Sequence, residues 1–313
     1  MKFTVVILKP LICILIVLIS LFVFQSCNKS PKQGKILFSL TDDLGDTVSF
    51  QKFPEKIISL APNITETLFA IGADSLIAGV TDYCDYPPEA KNKTSTGSYF
   101  APDLEKIASL DPDVVLMNVE SRNQTTYQAL KKLNMKLFVS NAKNFDGIIK
   151  MFGDLGKISN RESASGKLSD SLIKIRDNYI RSDTAKKKLK ALIIISIKPF
   201  MTTNAKTFIS EIVNMAGMEN LYKDEVIDYP LMGLDDLTLR NPEIIIMPAD
   251  TTAHEKNSLQ VGMIKKMLSI NVAARTGRII IVDDDIMFRP GPRIMEAVRI
   301  IKDKVNNLNI GNQ

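Results

Sequence analysis

Residues 56–113 read KIISLAPNITETLFAIGADSLIAGVTDYCDYPPEAKNKTSTGSYFAPDLEKIASLDPD, and the fold is decided there. The β-branched run Ile57-Ile58-Ser59-Leu60 predicts a buried strand, and Ile64, Leu68 and Ile71 then recur at helical spacing. Asn63 sits where an N-cap belongs, Glu66 three residues on completes a capping box, and Gly72 ends the helix. A second short strand, Leu76 to Val80, opens into a loop that carries Tyr83, Tyr86 and the rigid Pro87-Pro88 pair. Strand, helix, strand and aromatic loop make a unit whose ligand contacts collect at the carboxyl ends of the strands.

The alternation extends in both directions. Upstream, Leu37 to Phe50 alternates around Asp42-Asp43-Leu44-Gly45 and predicts a hairpin laid on the first lobe. Downstream come a helix from Asp103 to Leu110 stopped by Pro112, a strand Val114–Met117, a helix near 123–133 and a strand Leu137–Val139. From Phe145 to about Lys188 there is no proline, while Ile148, Phe152, Leu155 and Ile158, then Leu168, Leu172 and Ile175, keep helical spacing. As one helix, the second part of that segment, about 20 residues, would reach roughly 30 Å, enough for a strut between lobes. A second alternating set follows: strands 191–196, 244–247 and 279–282, helices 208–215 and 258–268, and a last amphipathic helix after Pro292. The expected fold class is α/β: two Rossmann-like lobes with parallel-sheet cores, residues 37–143 and 190–313, joined through 144–189 by a long rigid α-helix.

Composition narrows the function. Residues 1–26 hold Lys2, Lys9 and an apolar run, Leu11 to Phe24, which is too short to span a bilayer and reads as a secretory signal. The Gln25-Ser26-Cys27 sequence resembles a lipoprotein cleavage site, so Cys27 is expected to be acylated and residues 27–36 to form a flexible tether; an uncleaved anchor is the alternative. Loss of the two leader lysines takes the net charge from +5 to +3, too little and too evenly spread for nucleic acid; Lys186-Lys187-Lys188 reads as a solvated helix end. Cys84 would then be the remaining thiol, with no disulfide partner.

The one histidine, His254, lies in a polar stretch and is expected to be an exposed loop residue, which argues against a histidine-type metal receptor and against Ser-His-Asp or Cys-His catalysis. No Gly-x-Ser-x-Gly elbow or Walker-type loop occurs. Asp283-Asp284-Asp285 cannot all point inward from a strand end, so one or two should face solvent.

Four motifs in order, SLAPNITETLFAIGA (59–73), DYCDYPPEA (82–90), PDLEKIASLDPDVV (102–115) and FRPGPRI (288–294), resemble the cobalamin-binding branch of the substrate-binding proteins of ABC importers, the class III clamp family with a helical backbone. The resemblance covers about residues 40–305. It implies a monomeric receptor without cofactor or chemistry of its own, lipid-anchored on the periplasmic side of a bacterial membrane, that hands cobalamin or a similar large planar ligand to an ABC permease dimer with its ATPase. It further implies a pocket lined by Tyr83, Tyr99, Asn118, Phe200 and Tyr229 and by the polar pair Asp285 and Arg289, each of which could instead be core, rim or salt-bridge residues. Glu105 and Asp235, with Asp236 as a neighbour able to replace it, match the carboxylates that such receptors present to the permease; Glu105 could equally be an acid favoured at a helix start. A receptor for haem or a ferric siderophore is the alternative within the class. A metallocluster enzyme or an adhesion lipoprotein would be the alternatives outside it.

Overall fold

The computed structural model describes residues 35–120, 123–182 and 188–308. The expected leader, Cys27 and all but the last two tether positions lie outside the described residues, as do Lys186 and Lys187. Two compact units are present. The smaller includes residues 35–39 and 49–52, the outer ends of a hairpin made by β1 (Phe38–Thr41) and β2 (Thr47–Phe50), where the Phe38 and Phe50 rings stack at 4.7 Å. The larger holds the hairpin tip and everything from Phe53 onward.

Within the larger unit there are two sheets of the same topology. In the first, β3 (Ile57–Ser59), β4 (Ile77–Val80), β5 (Val114–Met117) and β6 (Leu137–Val139) lie in the order β4-β3-β5-β6, all parallel. In the second, β7 (Leu189–Ile193), β10 (Met218–Asn220), β11 (Ile244–Ala249) and β12 (Ile279–Asp283) lie in the order β10-β7-β11-β12, again all parallel. Ile58, Val115, Met117 and Val139 face one layer of core, while Ile57, Val114, Leu116 and Phe138 are buried on the other face. Both faces being covered explains why these strands read as continuous apolar runs.

The helices that cover the first sheet are α1 (Pro62–Ala70), α2 (Leu104–Ser109), α3 (Gln124–Lys132) and α4 (Phe145–Ile158). The hairpin tip is fastened beside β6: the Asp43 N–H donates to the Val139 carbonyl at 3.0 Å, and the Asn141 N–H donates to Asp43 at 2.6 Å. After a break at Asn160, whose φ is 55°, α5 (Glu162–Ser182) runs 21 residues, about 31 Å. It packs on α4 and also on α6 (Phe208–Met215) and α11 (Ile294–Asn306), and so joins the two lobes. The close approach of α4 to α5 depends on Gly156, because a Cβ there would run into the Ser165 hydroxyl. Gly156→Ala should therefore cost about 1–3 kcal/mol of stability by overpacking, and Ser165→Gly in the same chain should recover part of it; urea midpoints measure both.

The remaining second-lobe elements are α7 (Leu234–Arg240), α8 (His254–Met267), α9 (Val272–Thr276), α10 (Asp284–Phe288) and the hairpin β8 (Ser196–Ile197) with β9 (Phe200–Met201). Several of these depart from the sequence expectation. The strand expected at 191–196 starts and ends earlier, β10, α7, α9 and α10 are additional, and His254 is the exposed first residue of α8 rather than a loop residue.

An internal duplication underlies the matching topologies. PDLEKIASLDPDVV (102–115) aligns with MGLDDLTLRNPEII (232–245): Ile107 and Leu237 are both fully buried, and Asp111 and Asn241, each before a proline, both take left-handed backbone at φ 49° and 45°. Aspartate and asparagine tolerate that region better than other side chains with a Cβ. TETLFAIGA (65–73) likewise aligns with SEIVNMAGM (210–218), each ending in a left-handed glycine, Gly72 and Gly217. This register makes Glu211 the counterpart of Glu66. Burial pushes the Glu211 carboxyl up, opposed by the Phe145 N–H that it accepts at 2.6 Å. The folded chain then holds that proton more tightly than the unfolded one, so stability falls as pH rises from the unfolded value through the raised one. Glu211→Gln should remove this contribution, seen as a smaller drop in urea midpoint between pH 4.5 and neutrality than in the unaltered chain.

Candidate functional site

Both sheets reverse strand order between their first and third strands, and their carboxyl ends there are where an α/β fold collects ligand contacts. In the first lobe, residues 94–97 run beside the end of β4: the Val80 N–H donates to the Thr94 carbonyl at 2.9 Å, the Thr96 N–H to Val80 at 2.7 Å and the Asp82 N–H to Gly97 at 2.9 Å. This pairing brings the loop after β4 against the loop after Gly97. Tyr83, Tyr99 and Phe100 meet as a result, edge to face, with centroids 6.4 Å (Tyr83–Tyr99), 6.2 Å (Tyr83–Phe100) and 5.0 Å (Tyr99–Phe100) apart. Tyr83 and Phe100 stay about half exposed, at 51% and 41%. Phe100 had no motif to single it out.

Asn118 follows β5 directly. Its Nδ2 reaches Asn63 at 3.5 Å, its carbonyl accepts from Asn123 at 2.8 Å, and its buried Oδ1 has no hydrogen-bond partner among the described residues. Glu120, two residues on, is exposed, and its N–H donates to Asn123 Oδ1 at 2.7 Å.

On the second lobe, residues 228–232 run antiparallel to 200–204: Met232 N–H to Phe200 O at 2.9 Å, Thr202 N–H to Pro230 O at 3.1 Å, Asn204 N–H to Asp228 O at 3.0 Å. Strand alternation then separates two residues expected on one surface. Phe200 and Met232 turn inward onto the second-lobe core, whereas Tyr229 shares the opposite face with Met201 and the exposed Leu231. Tyr229 is close enough to Glu120 of the first lobe to feel its charge. Burial first, then Asp228 and Glu120, push its phenol up to about 12, and burial followed by Glu120 also raises Tyr99.

Between the lobes lies a charge network with a buried centre, whose members the sequence motifs divide differently. Helix α1 starts at Pro62 with Ala61 as its uncapped N-cap, as suits proline in a first turn, so Asn63 does not cap it and Glu66 closes no capping box. Asn63 Nδ2 instead points to the Pro290 carbonyl at 3.3 Å. The Glu66 side chain, 2% exposed, takes Arg293 at 2.6 and 2.8 Å and Arg289 at 3.2 Å. Arg289 also binds Asp85 at 2.8 Å and Asp285 at 2.6 Å, and the Arg293 guanidinium stacks on Tyr86 at 4.0 Å. Asp285 and Arg289 therefore do meet, but inside a five-member cluster that ties the segment before α11 to α1. Of the aspartate run, Asp283 caps α10 through the Ile286 N–H at 3.3 Å and accepts from Thr251. Among the described residues no cluster of His, Cys, Asp and Glu could hold a metal ion.

A cavity of about 420 Å³ opens at the carboxyl ends of β7 and β11, with Lys198, Asp250, Lys256, Met263, Asp284 and Phe288 in its wall. Cys84 is buried, its sulfur receiving the Thr65 hydroxyl at 3.2 Å, and burial pushes its thiol up. Glu105 and Asp235 are exposed second residues of α2 and α7, in register through the duplication. Asp236 is held by the Tyr222 hydroxyl at 2.6 Å and by Arg240 at 2.9 Å. No helix among the described residues is long and apolar enough to cross a membrane.

Comparison with known proteins agrees with this architecture. A vitamin B12-binding protein of Pectobacterium carotovorum subsp. carotovorum (strain PC1) is 26% identical over 264 residues, spanning 82% of this chain and 91% of that protein. The solved periplasmic vitamin B12 binding protein of Vibrio cholerae superposes with a TM-score of 0.70 at 22% identity, covering 83% of this chain and 99% of that one. The periplasmic heme binding protein of Vibrio cholerae superposes with 0.68 at 18% identity, covering 79% and 97%. The sequence profile described as "Periplasmic binding protein" matches residues 57–286, which take in both sheets, the connecting helix and the aromatic loops, and the chain belongs to that family of substrate-binding proteins of transporters, which are not enzymes.

Proposed function

We propose that this chain captures cobalamin or a related corrinoid between its lobes and delivers it to an ABC permease dimer. The observation that carries the reading is the pair of apolar surfaces, the rings of Tyr83, Tyr99 and Phe100 on one lobe and Tyr229 with Met201 and Leu231 on the other. Rings and aliphatic side chains bury a large, flat, partly apolar ligand with little rotamer entropy to lose, and Asn118 and Glu120 supply polar contacts to its rim. The vitamin B12-binding relatives favour a corrinoid. Asp285 and Arg289 set the floor of the cleft, Phe200 supports it from the core side, and Cys27 carries the lipid that holds the protein at the periplasmic face of a membrane. No catalysis and no cofactor are involved, and the receptor acts as a monomer.

The test is calorimetric titration of the chain from residue 28 onward with cyanocobalamin. Submicromolar binding with a negative heat-capacity change is expected, and Tyr99→Ala or Tyr229→Ala should each weaken it about tenfold or more. An absence of heat at micromolar concentrations would overturn the ligand assignment. A haem or ferric-siderophore receptor is the second reading, favoured by the heme-binding neighbour of the same fold; visible spectra after adding each ligand separate the two.

A further inference from the structure

Glu120 differs from Asp85, Asp285 and Asp228 in how its carboxylate is held. Asp85 and Asp285 are paired with Arg289, which they share with Glu66, and Asp228 Oδ1 accepts from Asn204 at 3.3 Å, whereas the exposed Glu120 carboxylate has no ion-pair partner among the described residues. Its backbone is fixed, because Asn123 receives the Glu120 N–H and itself donates to the Asn118 carbonyl. The backbone that carries the carboxylate is thus held at the end of β5, two residues after Asn118, whose buried Oδ1 has no hydrogen-bond partner among the described residues. Two acceptors at the end of one strand ask for donors on the ligand. Arg289 and Arg293 are already shared among Glu66, Asp85 and Asp285.

Resting on the cleft reading above, we propose that Glu120 selects ligands by charge, accepting amide or amine N–H groups from the rim of a neutral or cationic planar ligand and repelling ligands whose rim carries carboxylates. A hydrogen bond to a charged acceptor is worth more than one between neutral groups, and like charge at close range costs a comparable amount. The residue therefore acts on specificity more than on total affinity.

Two probes of opposite rim chemistry test this: cyanocobalamin, fringed with amides, and hemin, which carries two propionate carboxylates. In the full chain, Glu120→Gln keeps size and hydrogen-bonding capacity but removes the charge. It should weaken cyanocobalamin and tighten hemin so that the ratio of dissociation constants moves about tenfold toward hemin, with Glu120→Lys moving it further. Hemin binding to the unaltered chain should tighten with added salt, as repulsion is screened, and Glu120→Gln should lose that dependence. An unchanged ratio in both variants, with cyanocobalamin still bound, overturns the charge filter and leaves the cleft reading standing. Failure of the unaltered chain to bind either probe overturns the cleft reading and the filter with it.

Discussion

Glu66→Ala should lower the thermal midpoint by about 10 °C. The carboxylate is 2% exposed and is shared by Arg293 and Arg289, themselves only 14% and 10% exposed. Its removal leaves two buried guanidinium groups crowded together, with Arg289 falling back on Asp85 and Asp285 and Arg293 keeping only the face of Tyr86. Breaking a buried ion cluster by deleting one partner costs about 3–5 kcal/mol, and a chain of this size loses about 2–4 °C per kcal/mol. Glu66→Gln, which still accepts hydrogen bonds, should fall between the two. Differential scanning calorimetry decides, and a midpoint within 2–3 °C of the unaltered chain would show that the cluster contributes little.

That same cluster shows where sequence reading stops. Val114–Met117 and Leu137–Val139 were readable to the residue because strands covered on both faces must be apolar throughout. Met218–Asn220 was not, since three residues containing glutamate and asparagine leave no pattern, although their pairing with β7 completes the second sheet. Asn63 and Glu66 fit a local capping rule, and the competing partners lie 227 positions away at Pro290 and Arg293, beyond the reach of any local rule. Phe200 and Tyr229 carried the right chemistry for one aromatic wall. Only the pairing of 228–232 with 200–204 shows that they occupy opposite faces. The duplication was present in the letters, with Leu104-Glu105 matched by Leu234-Asp235 and Pro112 by Pro242. Its strongest marks, the shared left-handed turns at Asp111 and Asn241, are conformational and became visible with the backbone.

On the proposal that the chain delivers its ligand to a permease dimer, with Glu105 and Asp235 as the docking acids, reversing both to lysine should abolish uptake while leaving ligand affinity unchanged. Each acid is the exposed second residue of a short helix leading into the third strand of its lobe, so the two lobes offer the same group from the same structural position. A permease dimer has two equal surfaces related by a twofold axis, and a duplicated receptor can meet both with equivalent contacts. Charge pairs at such a rim set orientation and encounter rate, and reversal replaces attraction by repulsion costing several kcal/mol, doubled here. Either single reversal should leave partial uptake. Asp236 supplies the contrast, because its carboxylate is already committed to Tyr222 and Arg240, so Asp236→Asn should reduce stability modestly and leave docking intact. Labelled-ligand uptake in cells, read beside calorimetry on the purified variants, separates the two effects. Uptake that survives the double reversal, or ligand binding lost along with it, would show that these helix starts face something other than the transporter.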